Sequence, residues 1–356
     1  MNTATTTETT RMPIINETAP DFTAETTQGT IRFHEWIGTG CLREGHMLKQ
    51  LWRTNAPLTF TGLLMLPALA IAIAGLLLDP RIITDAPAWL KPAKFAVSIA
   101  IYVFTLAWAF TLIPGWRKTR RVVGWATAIA MVLEFAIIAL QAYRGTTSHF
   151  NFSTPLNGVL FIIMGVAIVA QTFISIAVAV AFWRQRFEDP AMGWALRLGL
   201  IITIVGALSA GFMTHPTAAQ LAGAHAGQGM PIMGAHTVGA PDGGPGLSGT
   251  GWSTEHGDLR IPHFIGLHAL QVLPLIAFMM RRRRLSSDTR VRLTLIAAGS
   301  YFTLVVLLLI QALRGQPILR PDALTIGLFG AWALVTAIWG WKSVNPAPVA
   351  TTPQAI

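Results

Sequence analysis

Long apolar runs separated by short polar segments dominate the chain, and they recur eight times. Each run is about as long as, or longer than, the roughly 20 residues that an α-helix needs to cross about 30 Å of hydrocarbon. Strand-type alternation is absent, and a backbone in lipid must satisfy its own hydrogen bonds, so the pattern predicts membrane-spanning helices. The predicted spans are 58–79, 90–113, 122–143, 157–183, 193–213, 262–280, 291–313 and 323–341.

Composition and charge distribution favour a membrane protein over a soluble one. Of 356 residues, 53% are hydrophobic and 12% are charged, about half the charged fraction of a soluble domain. The net charge of +10 would suggest nucleic-acid binding, but the basic residues are concentrated in alternate connections between runs. By the positive-inside rule these connections and both termini face the cytoplasm of a bacterial inner (plasma) membrane. The expected partner is therefore the lipid bilayer and not nucleic acid. The basic residues are Arg117, Lys118, Arg120 and Arg121, then Arg184 and Arg186, then Arg281–Arg284, Arg290 and Arg292.

Two nearly identical hexapeptides, LQAYRG at 140–145 and IQALRG at 310–315, indicate an internal repeat. Three further pairs match in the same order at polar helix ends. The pairs are AGLLLDP (74–80) with AGFMTHP (210–216), KPAKF (91–95) with RIPHF (260–264), and TPLNGVLFIIMG (154–165) with RPDALTIGLFG (320–330). The predicted fold is an all-α polytopic membrane protein with eight transmembrane helices in two parallel four-helix repeats, 51–188 and 189–342.

In the first half, polar residues on one face of the third run form a candidate site. Glu134 lies mid-run, where a carboxylate is costly and needs a partner or a water-filled cavity. Lys94, one turn inside the second run, is the expected partner, either in a structural pair or in a proton relay. Gln141 and Arg144 continue the face, and either cap the helix or bind a carboxylate or phosphate group.

In the second half, histidines replace the corresponding polar residues of the first. His215 corresponds to Asp79 and His263 to Lys94, while His268 lies deeper in the sixth run and His236 lies in a Gly-rich connection, 214–261. That connection suits either a flexible linker or a binding loop. Imidazoles suit heme iron, zinc or copper, so heme or a transition metal is the candidate cofactor. The predicted metal ligands are His215, His236, His263 and His268, and the predicted cofactor-binding residues are His215, His263, His268, Gln311 and Arg314.

The segment before the first run has its own resemblance. Residues 13–38, PIINETAPDFTAETTQGTIRFHEWIG, resemble the opening strands of a 1-Cys peroxiredoxin. That family's catalytic loop follows the pattern Pro-x-x-x-Thr-x-x-Cys, and Cys41 lacks its proline and threonine. We therefore interpret residues 1–50 as an inactive fusion remnant behind a disordered start (1–12), or as the result of a wrongly assigned start with Met47 as the original one. Residues 343–356 are interpreted as a disordered tail.

The helix layout resembles heme A synthase, which also has two parallel four-helix halves and a histidine at the start of helix 6. That resemblance implies heme binding, although Lys94 stands where helix 2 of the family has a histidine. WLKPAKF (89–95) and QAYRGTTSHFN (141–151) also resemble a group of bacterial multi-pass membrane proteins.

Three functional hypotheses follow. The first is a redox-type heme- or metal-binding membrane protein with its site on the extracytoplasmic side. The second is a proton-coupled transporter of a small molecule, although no pair of broken helices is evident from the sequence. The third is a structural or assembly protein in which the polar residues fix the fold. Enzymatic activity and oligomeric state stay open.

Overall fold

The computed structural model describes residues 23–26, 29–32 and 44–345, and the chain divides into two compact units, Met1–Gln50 and Leu51–Ile356. In the first unit, strand β1 (Thr23–Thr26) pairs antiparallel with strand β2 (Gly29–Arg32). Helix α1 (Glu44–Thr54) crosses the boundary between the units.

Several sequence predictions fall outside the described residues. The two strands are the described part of the peroxiredoxin-like segment. The rest of that segment, Cys41, residues 1–12 and residues 346–356 of the predicted tail are not described.

The second unit is built from long helices joined by short strands, turns and short helices. The helices of its bundle are α2 (Ala56–Leu78), α3 (Leu90–Thr111), α4 (Arg117–Tyr143), α5 (Pro155–Arg184), α6 (Pro190–Ser209), the short pair α8 (Arg260–Leu267) and α9 (Ala269–Arg281), α10 (Ser287–Leu313) and α11 (Ala323–Val344). The connections contain β3 (Ile82–Ile83), β4 (Ala86–Pro87), a 3-10 turn (Ala210–Thr214), α7 (Ala218–His225), β5 (Thr237–Val238) and β6 (Gly257–Asp258).

Among the described residues, seven helical segments are long and apolar enough to cross a membrane, and the bent pair α8–α9 raises the number to eight. The predicted helical, multi-pass fold class is therefore confirmed. Five of the spans begin directly after a residue whose side chain accepts a hydrogen bond from the first helical turn, which fixes where those helices start. These N-caps are Asn55, Thr154, Asp189, Ser286 and Asp322.

The first four spans and the last four pack in the same pattern. Helix α2 packs against α3 and α4, and α6 packs against the α8–α9 pair and α10. Helix α4 packs against α5, and α10 packs against α11. A core centred on α3, with Val103 and Phe110 fully buried, is flanked by α2, α4, α5 and α6. Large apolar side chains cover the outside, as expected for a surface that faces lipid.

The sixth predicted span is not continuous. Helices α8 and α9 meet at His268 with a bend of 46°, so the expectation of an unbroken helix over 262–280 is wrong. The hydroxyl of Thr203 on α6 accepts a hydrogen bond from the Leu270 N–H at 3.1 Å and donates one to the Leu267 carbonyl at 3.2 Å. A side chain inserted into the helical hydrogen-bond ladder kinks a helix.

A second side chain and a proline support the same break. The Tyr301 hydroxyl on α10 donates to the Ile265 carbonyl at 2.6 Å. Pro274 has no N–H to donate to the carbonyl of Leu270, four residues earlier. Side chains from α6 and α10 therefore satisfy the Leu270 N–H and the carbonyls of Leu267 and Ile265 at the bend, as burial in a membrane requires.

Successive spans run in opposite directions, so the connections between them lie alternately at the two ends of the helix bundle. We call the end that holds residues 79–89, 144–154, 210–259 and 314–322 the loop end. The other, which holds residues 112–116, 185–189 and 282–286, is the basic end, and there Arg290 pairs with Asp189 at 2.9 Å.

Candidate functional site at the loop end

The connections at the loop end pack against one another and form a continuous cover. The main chain at Phe150 and Phe152 hydrogen-bonds to Met233 and Pro231 at 2.9 and 2.7 Å. The β3–β4 turn joins the cover because Asp85 accepts from the Gly244 N–H at 2.8 Å. The Gly-rich connection 214–261 is thus an ordered cap, and it supplies polar groups to the site beneath it.

Glu134, His149 and Lys91 form a line of titratable groups under this cap. Glu134 on α4 is 4% exposed, and its Oε1 lies 3.6 Å from Nε2 of His149. Nδ1 of the same imidazole lies 3.1 Å from Nζ of Lys91 on α3 and 3.0 Å from Oγ of Ser148. The second carboxylate oxygen of Glu134 is buried and has no hydrogen-bond partner in the described part of the chain.

Aromatic rings enclose His149. Phe95 and Phe161 lie 6.2 and 6.1 Å from the imidazole, centroid to centroid, and Phe150 lies at 6.0 Å. Burial among these rings lowers the pKa of His149 well below its ordinary 6.5, and the positive charge of Lys91 lowers it further. The imidazole is therefore neutral at pH 7, with one nitrogen as donor and the other as acceptor.

A second imidazole–carboxylate pair lies behind Phe150. Nδ1 of His236 hydrogen-bonds to Asp242, which also accepts from the N–H groups of His236 and Thr237 at 2.7 and 2.9 Å. Burial lowers the pKa of His236, although its bond to Asp242 opposes the shift. Burial raises the pKa of Asp242, but the hydrogen bonds outweigh it and leave that pKa at about 2. The ring of Phe150 packs on His236 at 4.9 Å.

Lys94 does not pair with Glu134, which corrects the expected Glu134–Lys94 contact. Its ammonium donates to the Thr250 carbonyl in the cap. Lys91 and Lys94 are three residues apart, so they leave α3 in directions that differ by a sixth of a turn. That difference places Lys91 beside His149, next to Glu134, and Lys94 under the cap.

Gln141 and Arg144 lie in a separate cluster that closes α4. Nε2 of Gln141 and Nη1 of Arg144 both donate to Oδ1 of Asn157, at 3.1 and 2.8 Å. The Thr146 N–H donates to the Gln141 carbonyl, the Gly145 N–H donates to the Ala142 carbonyl, and Gly145 has φ +72°. This is a Schellman C-cap, which requires the left-handed conformation that glycine adopts without strain.

The second hexapeptide ends α10 in the same way. The Gln316 N–H donates to the Gln311 carbonyl, and Gly315 has φ +73°. Nε2 of Gln311 donates to the Pro317 carbonyl at 3.0 Å, while Arg314 pairs with Asp322 and donates to Thr325 at 2.9 Å. The hexapeptides are therefore matched helix caps, and the predicted cofactor contacts of Gln311 and Arg314 stay a prediction.

The other predicted histidines have different surroundings. His263 on α8 holds the Gly206 carbonyl with Nδ1 at 2.7 Å, His268 lies at the α8–α9 break, and His215 is exposed beyond the 3-10 turn. Within residues 23–26, 29–32 and 44–345, no three His, Cys, Asp or Glu side chains are grouped to hold a metal ion. Heme or metal binding therefore stays a prediction.

Lys91 and His149, which complete the line with Glu134, were not among the site residues predicted from the sequence. Lys91 lies in the WLKPAKF segment that supplied Lys94, so its spacing was the available signal. Asp258 is buried and pairs with Arg260 at 2.6 Å, and the Asp-x-Arg spacing repeats that of Asp79 and Arg81.

None of the protein-family models, curated proteins or solved structures compared with this chain matches it.

Proposed function

We propose that the protein is a proton-coupled membrane transporter of a small molecule, with its proton-handling site at the loop end. The observation that carries this proposal is the contact line Glu134–His149–Lys91, in which three titratable groups from α4, the 144–154 connection and α3 meet beneath a cap. Ionisable residues inside membrane spans are costly, and they mark proton relays and substrate paths.

The chemistry of the line suits proton exchange. Lys91, as the ammonium, gives a proton from Nζ to Nδ1 of His149, the imidazole passes its Nε2 proton to the carboxylate of Glu134, and the reverse steps return both protons. The unpartnered oxygen of Glu134 leaves the carboxyl free to bind a proton or a polar ligand. The α8–α9 break adds a discontinuous helix of the kind found at transporter binding sites.

The orientation belongs to the same proposal. The Arg-rich basic end faces the cytoplasm of a bacterial inner membrane and the loop end faces outside, which the charge distribution supports. The two sets of four spans are copies of one unit, α2–α5 and α6–α11. The shared packing pattern and the matched caps at Gly145 and Gly315 support that duplication.

Infrared titration of the purified full chain tests the relay. We expect a protonated-carboxyl signal that disappears in Glu134→Gln and shifts in its titration in His149→Asn. Glu188→Gln, which removes an exposed carboxylate at the basic end, is the matched control. A carboxyl signal that survives in Glu134→Gln would remove Glu134 from the site.

Proteoliposomes loaded with a pH-sensitive dye test transport. A panel of small carboxylates, amines and zwitterions is added under an imposed inside-negative potential. We expect one class to acidify the lumen with wild-type protein and with Glu188→Gln, and not with Glu134→Gln. Absence of compound-dependent acidification across the panel, with folded protein, would reject coupled transport.

A further inference from the structure

A cavity of about 400 Å³ lies at the basic end, far along α4 from Glu134. It is a cleft between the α1–α2 junction, residues 54–57, and the first turns of α4. Its α4 wall carries Arg117, Arg120, Arg121 and Trp125. The relay of the loop end does not use any of these residues.

The cavity has a fixed wall. The buried side chain of Asn55 caps α2 through the Leu58 N–H at 3.2 Å and donates to the Arg120 carbonyl at 2.7 Å. Gly124 makes this contact possible, because a Cβ there would lie 2.1 Å from the Asn55 amide nitrogen. These contacts hold the α1–α2 junction against α4, so the position of the cavity wall is fixed by the packing of the two segments.

The charges that line the cavity are all positive. Arg120 is anchored by donation to the Phe110 and Pro114 carbonyls, both at 3.2 Å. Arg117 and Arg121, one helical turn apart, have no hydrogen-bond or ion-pair partner among the described residues, and no described lining residue is acidic. A group of guanidinium ions without a carboxylate matches the bidentate geometry of a phosphate group.

We propose that this cavity binds a phosphate group, supplied by the headgroup of an anionic phospholipid. Trp125, one turn beyond Arg121 on α4, is 56% exposed, and Val122, next to Arg121, is 58% exposed. An exposed tryptophan beside basic residues is typical of the headgroup level of a bilayer, and basic clefts between spans bind phospholipid headgroups. Free phosphate has the same chemistry without the acyl chains.

Native mass spectrometry of the full chain in detergent tests the proposal with three probes. They are dihexanoyl phosphatidylglycerol, dihexanoyl phosphatidylcholine and inorganic phosphate. We expect phosphatidylglycerol to bind, with about tenfold weaker binding in Arg117→Gln/Arg121→Gln, as for a loss of about 1.4 kcal/mol. Arg281→Gln/Arg283→Gln removes two charges at the same end outside the cavity and is the matched control. Arg120 is left intact because it anchors the backbone.

The outcomes separate the sources and the alternatives. Equal, Arg117- and Arg121-dependent binding of inorganic phosphate would support the phosphate site and assign it to the free ion. Equal binding of phosphatidylcholine, which is uncharged overall, would overturn anion recognition. Equal loss in the two double variants would overturn the cavity as the site, because the basic end as a whole would then attract the lipid.

Discussion

Gly206→Ala should loosen the crossing of α6 with the broken sixth span. A Cβ at Gly206 would lie 2.6 Å from the carbonyl carbon of Gly266 and 2.7 Å from the amide nitrogen of Leu267. Both are backbone atoms, so no side chain can move aside. Because ordinary contacts begin near 3.4 Å, the two helices must separate by about 0.8 Å, the difference from 2.6 Å.

That separation decides the magnitude. The contacts of Thr203 with Leu267 and Leu270, now 3.2 and 3.1 Å, would exceed hydrogen-bond length. Helices that separate lose two such bonds, at about 1 kcal/mol each; helices that resist separation instead bear about 1–3 kcal/mol of overpacking. Alanine's higher helix propensity returns about 0.5–1 kcal/mol. The expected net destabilisation is therefore roughly 1–2 kcal/mol.

Thermal unfolding in detergent, followed by circular dichroism, measures the effect against a matched variant. Gly299→Ala adds the same methyl group inside α10, where a Cβ meets nothing within 4 Å, so it should be neutral or slightly stabilising. The difference in Tm between the variants should be on the order of 5 °C. Amide exchange over residues 260–272 should rise only in Gly206→Ala. Equal Tm and equal exchange in the two variants would refute the close-packing account.

Two further predictions concern the loop end. Lowering the pH below about 6.5 should destabilise it, because burial keeps the pKa of His149 and His236 below that value, and the unfolded chain then binds protons that the folded one does not. Amide exchange over residues 231–259 should rise in that window and rise less in His149→Gln; no difference would contradict the assignment. Asn157→Leu should cost about 1–3 kcal/mol by removing the oxygen that accepts from both Gln141 and Arg144, while Asn157→Asp, which keeps the acceptor oxygen, should largely retain the wild-type Tm.

The candidate site was only partly predictable. Glu134 was identified because a carboxylate within an apolar run is costly wherever it lies. Its partner His149 was not identified, because it lies fifteen positions away, beyond the end of α4. The hydropathy pattern does not show that the connection after α4 returns toward Glu134. The glycine of each hexapeptide carried the structural information, since the left-handed C-cap at Gly145 and Gly315 requires it.

The sequence by itself determined where the helices lie, because a backbone in hydrocarbon has one local way to satisfy its hydrogen bonds, and polar N-caps mark where five of the spans start. Tertiary structure decided what lies between the helices. The break at His268 depends on Thr203 and Tyr301, which are distant in sequence and reach the released backbone groups only after α6 and α10 pack. Lys91 rather than Lys94 lies beside His149 because the rotation of α3 is fixed by its neighbours. Such contacts depend on distances between segments, which residue order alone does not specify.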